Sequence, residues 1–129
     1  MRMVKFRNNL NQVLAAYPPI LIAYEEVMHH NGTDAAHVYG AITGQLMEIG
    51  ESHKPFPIPY LGIPVGTVKK RATGKGNANK DCMIRAARGF WPRVVIVDDN
   101  HADALCIGLA AQHEFKEFLA ERNPKGEAK

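Results

Sequence analysis

The chain has 129 residues, 46% of them hydrophobic, 22% charged and 8% aromatic, which suits one compact globular domain and excludes a wholly disordered or collagen-like polymer. No apolar run approaches the roughly 18 residues that cross a bilayer, and the polar, basic start at Met1 to Leu10 is not followed by a secretory apolar core. The formal net charge is only +3, but it is segregated: Lys69 to Arg93 holds eight basic residues against one acid, Asp81, so that segment carries +7 and the remainder −4. Such clustering is the electrostatic footprint of a phosphate-backbone partner, with a solvated surface as the alternative.

In chain order, Met3, Val4, Phe6, Leu10, Val13 and Leu14 recur at helical spacing, and Pro18-Pro19 stops that helix. Ile20 to Tyr24 is a near-continuous apolar run, expected as a strand covered on both faces, and it delivers Glu25 and Glu26 just beyond its end. A second helix begins near Asp34 with Ala35, Val38, Ile42, Leu46 and Ile49 on one face, and Gly40, Gly44 and Gly50 weaken it or allow close packing. Pro55, Pro57, Pro59 and Pro64 keep the next stretch extended, which predicts a short strand over Ile63 to Val68 with Lys69, Lys70 and Arg71 leading into a loop.

That loop, Thr73 to Asn79, is glycine-rich and polar; a helix follows from Lys80 to Arg88 and ends at Gly89. Val94 to Val97 is a short extended run before a final helix, capped by Asp99 or Asn100 and reaching about Glu121. One domain over residues 1–122 with a frayed tail at 123–129 is the expected organisation. The alternation of helices and strands predicts an α/β fold, although two convincing strands make a marginal sheet. Cys82 and Cys106 read as packed, reduced thiols.

Acids stand where an α/β protein places a site. Glu25 and Glu26 follow a buried strand, at the edge where open α/β sheets bind ligands. Asp99 and Asp103 are i, i+4, so on a helix their carboxylates share one face, and Asp103 sits between small and apolar neighbours that turn it inward. Carboxylates held close repel one another unless a hard cation lies between them, and oxygen ligation selects Mg²⁺ or Mn²⁺. The plainer reading makes Asp99 an N-cap and Asp103 a solvated helix residue.

His29, His30 and His37 lack the partners of a tetrahedral zinc set, and the run Gly74-Lys-Gly-Asn-Ala-Asn-Lys80 does not have the order of a nucleotide-binding P-loop, so no nucleotide cofactor is expected. Its small residues would instead let a phosphate approach the backbone, with Lys75 and Lys80 alongside.

The segments LIAYEEVMHHNG at 21–32, VGTVKKRATGKGNANKDCM at 65–83 and DDNHADALCIGLA at 98–110 together resemble the RuvC-type Holliday junction resolvases, especially their phage-associated branch, over roughly residues 3–115. The resemblance implies a ribonuclease H-like mixed sheet with flanking helices. It also implies a Mg²⁺-dependent crossover junction endodeoxyribonuclease, with Mn²⁺ as a substitute, that cuts branched DNA as a homodimer by a two-ion mechanism. The setting it implies is the cytoplasm of a bacterial or phage-infected cell, without membrane attachment.

Carried over residue by residue, the family's second acid falls on Glu25 and its last on Asp103. The third falls on Asp99, with Asp98 and His101 as alternatives, and Lys69, Lys70, Arg71, Lys75 and Lys80 are the DNA-binding residues. The family's first acid, on an N-terminal β-meander in an I-D-P-G type of motif, has no counterpart here, and neither does the meander. The sequence therefore reads as a truncated form of a longer nuclease, or else as a catalytically inactive nucleic-acid-binding remnant.

Overall fold

The structure is a computed structural model and describes residues 2–122, with side chains described as far as Glu117. The tail expected at 123–129 lies outside the described residues. The elements are α1 (Arg2–Ala16), β1 (Ile22–Glu26), α2 (Thr33–Ser52), β2 (Tyr60–Pro64), α3 (Val65–Thr73), α4 (Lys80–Phe90) and α5 (Asp99–Arg122). β1 and β2 pair in a parallel two-stranded sheet.

The chain divides into two compact units, Met1–Ile22 with Val27–Leu61, and Ala23–Glu26 with Gly62–Lys129. In the first, Leu14 of α1 meets Ile49 of α2 and Ile58, with Leu10 and Ile22 packed around them. The helical stripes of both segments thus find each other, and burial of such side chains is the main term holding a small unit together. Of the three glycines on α2, only Gly50 lies at a close approach; nothing stands within 4 Å of a Cβ at Gly40 or Gly44.

In the second unit α3, α4 and α5 pack on one another. Ala102, Cys106 and Ala110, spaced by four on α5, are completely buried, and their small size lets α4 approach close enough for Cys106 Sγ to lie 3.9 Å from the Met83 carbonyl. Ile63 of β2, only 1% exposed, and Val68, Ala72, Met83 and Ala87 complete this core. Both cysteines are free thiols, Cys106 buried and Cys82 partly so.

Four local expectations are corrected. Pairing of β1 starts at Ile22, whose N–H donates to the Pro59 carbonyl at 2.9 Å, so Glu25 and Glu26 are the strand's last residues rather than its sequel. The second strand ends at Pro64, where the predicted Ile63–Val68 strand turns helical. Val65, Thr67 and Val68 have strand-type side chains, but Val68 and Ala72 recur at helical spacing and are buried, and packing overrides propensity. Lys69, Lys70 and Arg71 therefore ride on α3, not on a strand exit.

Val94 to Val97, expected as a short extended run, joins no described strand: Val95 is 85% and Val97 80% exposed. The cap of α5 is Asp98, one residue before the expected Asp99 or Asn100, and its Oδ1 accepts the His101 N–H at 2.8 Å.

Candidate active site

A cleft of about 50 Å³ in the second unit is lined by Glu25, Lys69 and Asp103, with Val65, Val68, Met83 and Ile107 as its apolar wall. Each element brings one charged group: β1 ends on Glu25, the first turns of α3 carry Lys69, and α5 points Asp103 inward one turn from its start. Residues 25, 69 and 103 are distant in sequence; the α3–α5 packing brings Lys69 and Asp103 together, and Glu25 joins them from the end of β1.

Burial raises the Glu25 carboxyl above the ordinary carboxylate range, the Asp103 charge raises it further, and Lys69 opposes both. Asp103 is raised in the same way, first by burial and then by Asp99, while Lys69 and Lys80 pull it down. Two half-buried carboxylates thus face charge of their own sign, with ammonium groups as counterweights. That arrangement stores a preference for added positive charge.

Asp99 stands at the first position of α5 and is held at its rim, with Oδ2 3.3 Å from Lys80 Nζ, and the lysine keeps its carboxyl below the usual range. Asp98 is spent on capping, and His101 Nδ1 accepts the Val97 N–H at 3.2 Å. Since a backbone N–H only donates, that ring nitrogen must carry the lone pair, so the His101 proton lies on Nε2. Of the three alternatives for a third ligand, Asp99 is the one held chiefly by a side chain, Lys80, with lesser bonds to the N–H groups of its own residue and Asn100.

Among the described residues no group of three His, Cys, Asp or Glu side chains is assembled to hold a metal ion. Two carboxylates in one cleft do suit Mg²⁺ or Mn²⁺, because such an ion keeps several waters and is commonly bound by one or two carboxylates plus a substrate phosphate. The residues fit a single hard cation completed by solvent and substrate.

The five predicted DNA-binding cations occupy different environments. Lys69 is in the cleft. Lys75 is exposed on the loop after α3, where Gly74 adopts φ 82 to end the helix and the Thr73 hydroxyl accepts the Lys75 N–H at 3.1 Å. Lys80 opens α4 behind its cap, Asn79, which accepts the Cys82 N–H at 2.9 Å.

Arg71 instead turns to α5, 3.2 Å from Glu114 and 2.8 Å from Glu117, and these partners raise the guanidinium still further above its ordinary value. Lys70 borders a second cleft of about 500 Å³ with Thr67, Arg71, Gly74, His113 and Glu114. Sequence reasoning missed the Arg71 clamp, because 43 and 46 residues separate it from its partners and no local pattern connects them. It also missed the apolar wall, whose signal was the helical recurrence of Val65 and Val68 with Ala72.

No family model matches the chain. It is 28% identical over 109 residues to the crossover junction endodeoxyribonuclease RuvC of Synechococcus sp., a match covering 84% of this chain and 68% of that protein. It is 31% identical over 101 residues to the protein of the same name from Brachyspira hyodysenteriae, covering 78% of this chain and 61% of that one.

Among solved structures, Thermus thermophilus RuvC in complex with a Holliday junction substrate superposes with a TM-score of 0.79 at 22% identity, over 90% of this chain and 69% of that one. A second structure of Thermus thermophilus RuvC gives 0.67. The fold is therefore ribonuclease H-like, here with its sheet represented by two strands among the described residues. More narrowly, the chain is similar in sequence and in fold to the crossover junction endodeoxyribonucleases named RuvC.

Proposed function

We propose that this chain supplies the metal-binding and strand-binding parts of a structure-selective DNA endonuclease that cleaves Holliday junctions or other branched DNA. The observation that carries the reading is the convergence of Glu25 and Asp103, with Lys69 between their charges, in one cleft of a chain similar to RuvC. Mg²⁺ or Mn²⁺ is the cofactor this donor set selects, and when bound it supplies Lewis-acid stabilisation of charge on the phosphoryl oxygens.

The chain's own groups do the rest. Glu25 and Asp103 would hold the cation through their carboxylates. Lys69 offsets their repulsion and draws a phosphate oxygen to the cleft mouth. The apolar wall of Val65, Val68, Met83 and Ile107 limits water and so strengthens each electrostatic contact. Lys70, Lys75 and Lys80 position the sugar-phosphate backbone without reading sequence. Two-ion cleavage would need a further carboxylate beside Asp103, and Asp99 is the nearest by helix register. The working form is a homodimer on branched DNA in the cytoplasm; no described helix is long and apolar enough to cross a membrane.

A second reading is kept by one observation, the lack of a three-ligand group among the described residues: a module that binds junctions without cutting. A labelled four-way junction with Mg²⁺ or Mn²⁺ separates them. Divalent-dependent nicking that disappears in Glu25→Gln and Asp103→Asn supports the nuclease. Salt-sensitive binding with no nicking supports the module.

A further inference from the structure

Three carboxylates lie in electrostatic series: the Asp103 charge acts on Glu25, and the Asp99 charge acts on Asp103. Two ammonium groups stand among them. Lys69 acts on Glu25 and Asp103, whereas Lys80 acts on Asp103 and touches Asp99 directly, Nζ to Oδ2 at 3.3 Å. The two lysines differ in freedom. Lys69 is half-buried in the cleft, but the Lys80 side chain is 83% exposed, a long solvated arm on a backbone fixed by the Asn79 cap.

Asp99 is held chiefly by that lysine. Asp98 supplies the side-chain cap of α5, and the Asp99 carboxylate makes only lesser bonds to the N–H groups of its own residue and of Asn100. It lies on the same face of the helix as Asp103, and a change of rotamer alone carries its carboxylate toward that neighbour.

We propose that Lys80 is a positioning residue that withholds Asp99 from the cation held by Glu25 and Asp103, and that a DNA phosphate taking up Lys80 releases Asp99 to complete the ligand set. The inference rests on the metal-site reading above. Its physics is an exchange of partners. An exposed ion pair is worth at most about a fivefold factor in an equilibrium constant, whereas the DNA backbone is a polyanion that gathers Lys and Arg with release of counterions. The lysine therefore changes partner readily when a strand arrives. The site would then bind its cation tightly only once substrate is in place, and by linkage the cation and DNA strengthen one another's binding.

The test is Mn²⁺ affinity, measured by titration calorimetry on the full 129-residue chain without DNA, for wild type, Lys80→Gln, Lys80→Arg, Asp99→Asn and the Lys80→Gln/Asp99→Asn double variant. Lys80→Gln should tighten Mn²⁺ about two- to fivefold, Lys80→Arg should restore the wild-type value, and the gain should vanish in the Asp99→Asn background. An equal gain in both backgrounds would reveal a long-range charge effect and overturn the proposal, as would no gain at all. Mn²⁺ binding that depends on Glu25 and Asp103 yet ignores Lys80 overturns this inference alone. No Mn²⁺ binding by any variant overturns the metal-site reading with it.

Discussion

Asp98 Oδ1 accepts the backbone N–H of His101 at 2.8 Å, and His101 returns the gesture by accepting the Val97 N–H on Nδ1 at 3.2 Å. The pair closes the first turn of α5 in the manner of a capping box, with the reciprocal bond reaching one residue further back. This leaves the next carboxylate, Asp99, to the side of the cleft. Asp98→Ala should cost about 1 kcal/mol of stability, within the usual 0.5–2 kcal/mol for a lost cap, while Asp98→Asn should be nearly neutral because asparagine caps equally well. In the Lys80→Gln background, neither should change Mn²⁺ affinity by as much as Asp99→Asn does. Urea denaturation beside calorimetric metal titration checks both halves; a larger metal effect at Asp98 would reverse the assignment of these neighbours.

Glu25 and Asp103 carry carboxyls raised above their ordinary values by burial first and by acidic neighbours second. The sign of the consequence is fixed. A carboxyl whose folded pKa exceeds its unfolded one contributes stability below the unfolded value and loses it as pH rises through the folded value. Glu25→Gln and Asp103→Asn should therefore make the metal-free protein more stable at neutral pH and flatten its loss of stability from acid toward neutrality. The same variants should reduce junction nicking by more than about 100-fold, beyond the 10–100-fold typical of outer-shell partners. Thermal melts across pH without divalent ions, paired with nicking assays, decide the matter. Variants that melt lower at neutral pH would show these carboxylates to be structural.

Arg71, a member of the predicted basic set, is paired with two carboxylates inside the protein, Glu114 and Glu117. It ties α3, the helix that carries Lys69, to α5, the helix that carries Asp103. Arg71→Ala should lower the denaturation midpoint slightly, because solvent screens the two ion pairs that it removes. It should leave the salt dependence of DNA binding nearly unchanged. Lys75→Ala, from an exposed loop position, should do the opposite, reducing the slope of log affinity against log salt by about one while stability stays level. Fluorescence anisotropy with a labelled junction at four or five salt concentrations provides the comparison.

What could be read from sequence was local. The stripes of α1 and α2, the cap-and-glycine punctuation around the basic loop, and the i, i+4 acids of α5 each follow from a periodicity visible within ten or twenty residues. Glu25 and Asp103 were legible as acids at strand and helix ends, and the RuvC-like motifs joined them into one expectation. Strand-type residues after Pro64 were misread because propensity at Val65 and Val68 was outweighed by their packing with α5, a long-range cause. The Arg71 clamp and the Lys80 to Asp99 contact were invisible because they join residues that only the fold brings together.

Gly50 illustrates the other side of that lesson, since the sequence offered three glycines on one helix and no way to rank them. Ile58 donates its N–H to the Gly50 carbonyl at 2.8 Å, and a Cβ on Gly50 would lie 2.8 Å from the Ile58 carbonyl oxygen. The obstacle is backbone, so a methyl group cannot be accommodated by a rotamer change, and the segment leading into β2 must move. Gly50→Ala should destabilise the first unit by about 1–3 kcal/mol, as overpacking does elsewhere. At Gly44, mid-helix and with nothing within 4 Å of a Cβ, the same substitution should stabilise by about 0.5–1 kcal/mol, because alanine loses less backbone entropy in a helix. Denaturation midpoints of the two variants against wild type should therefore shift in opposite directions. A rise in midpoint for Gly50→Ala would mean that the backbone there yields more easily than a 2.8 Å approach to the Ile58 carbonyl oxygen implies.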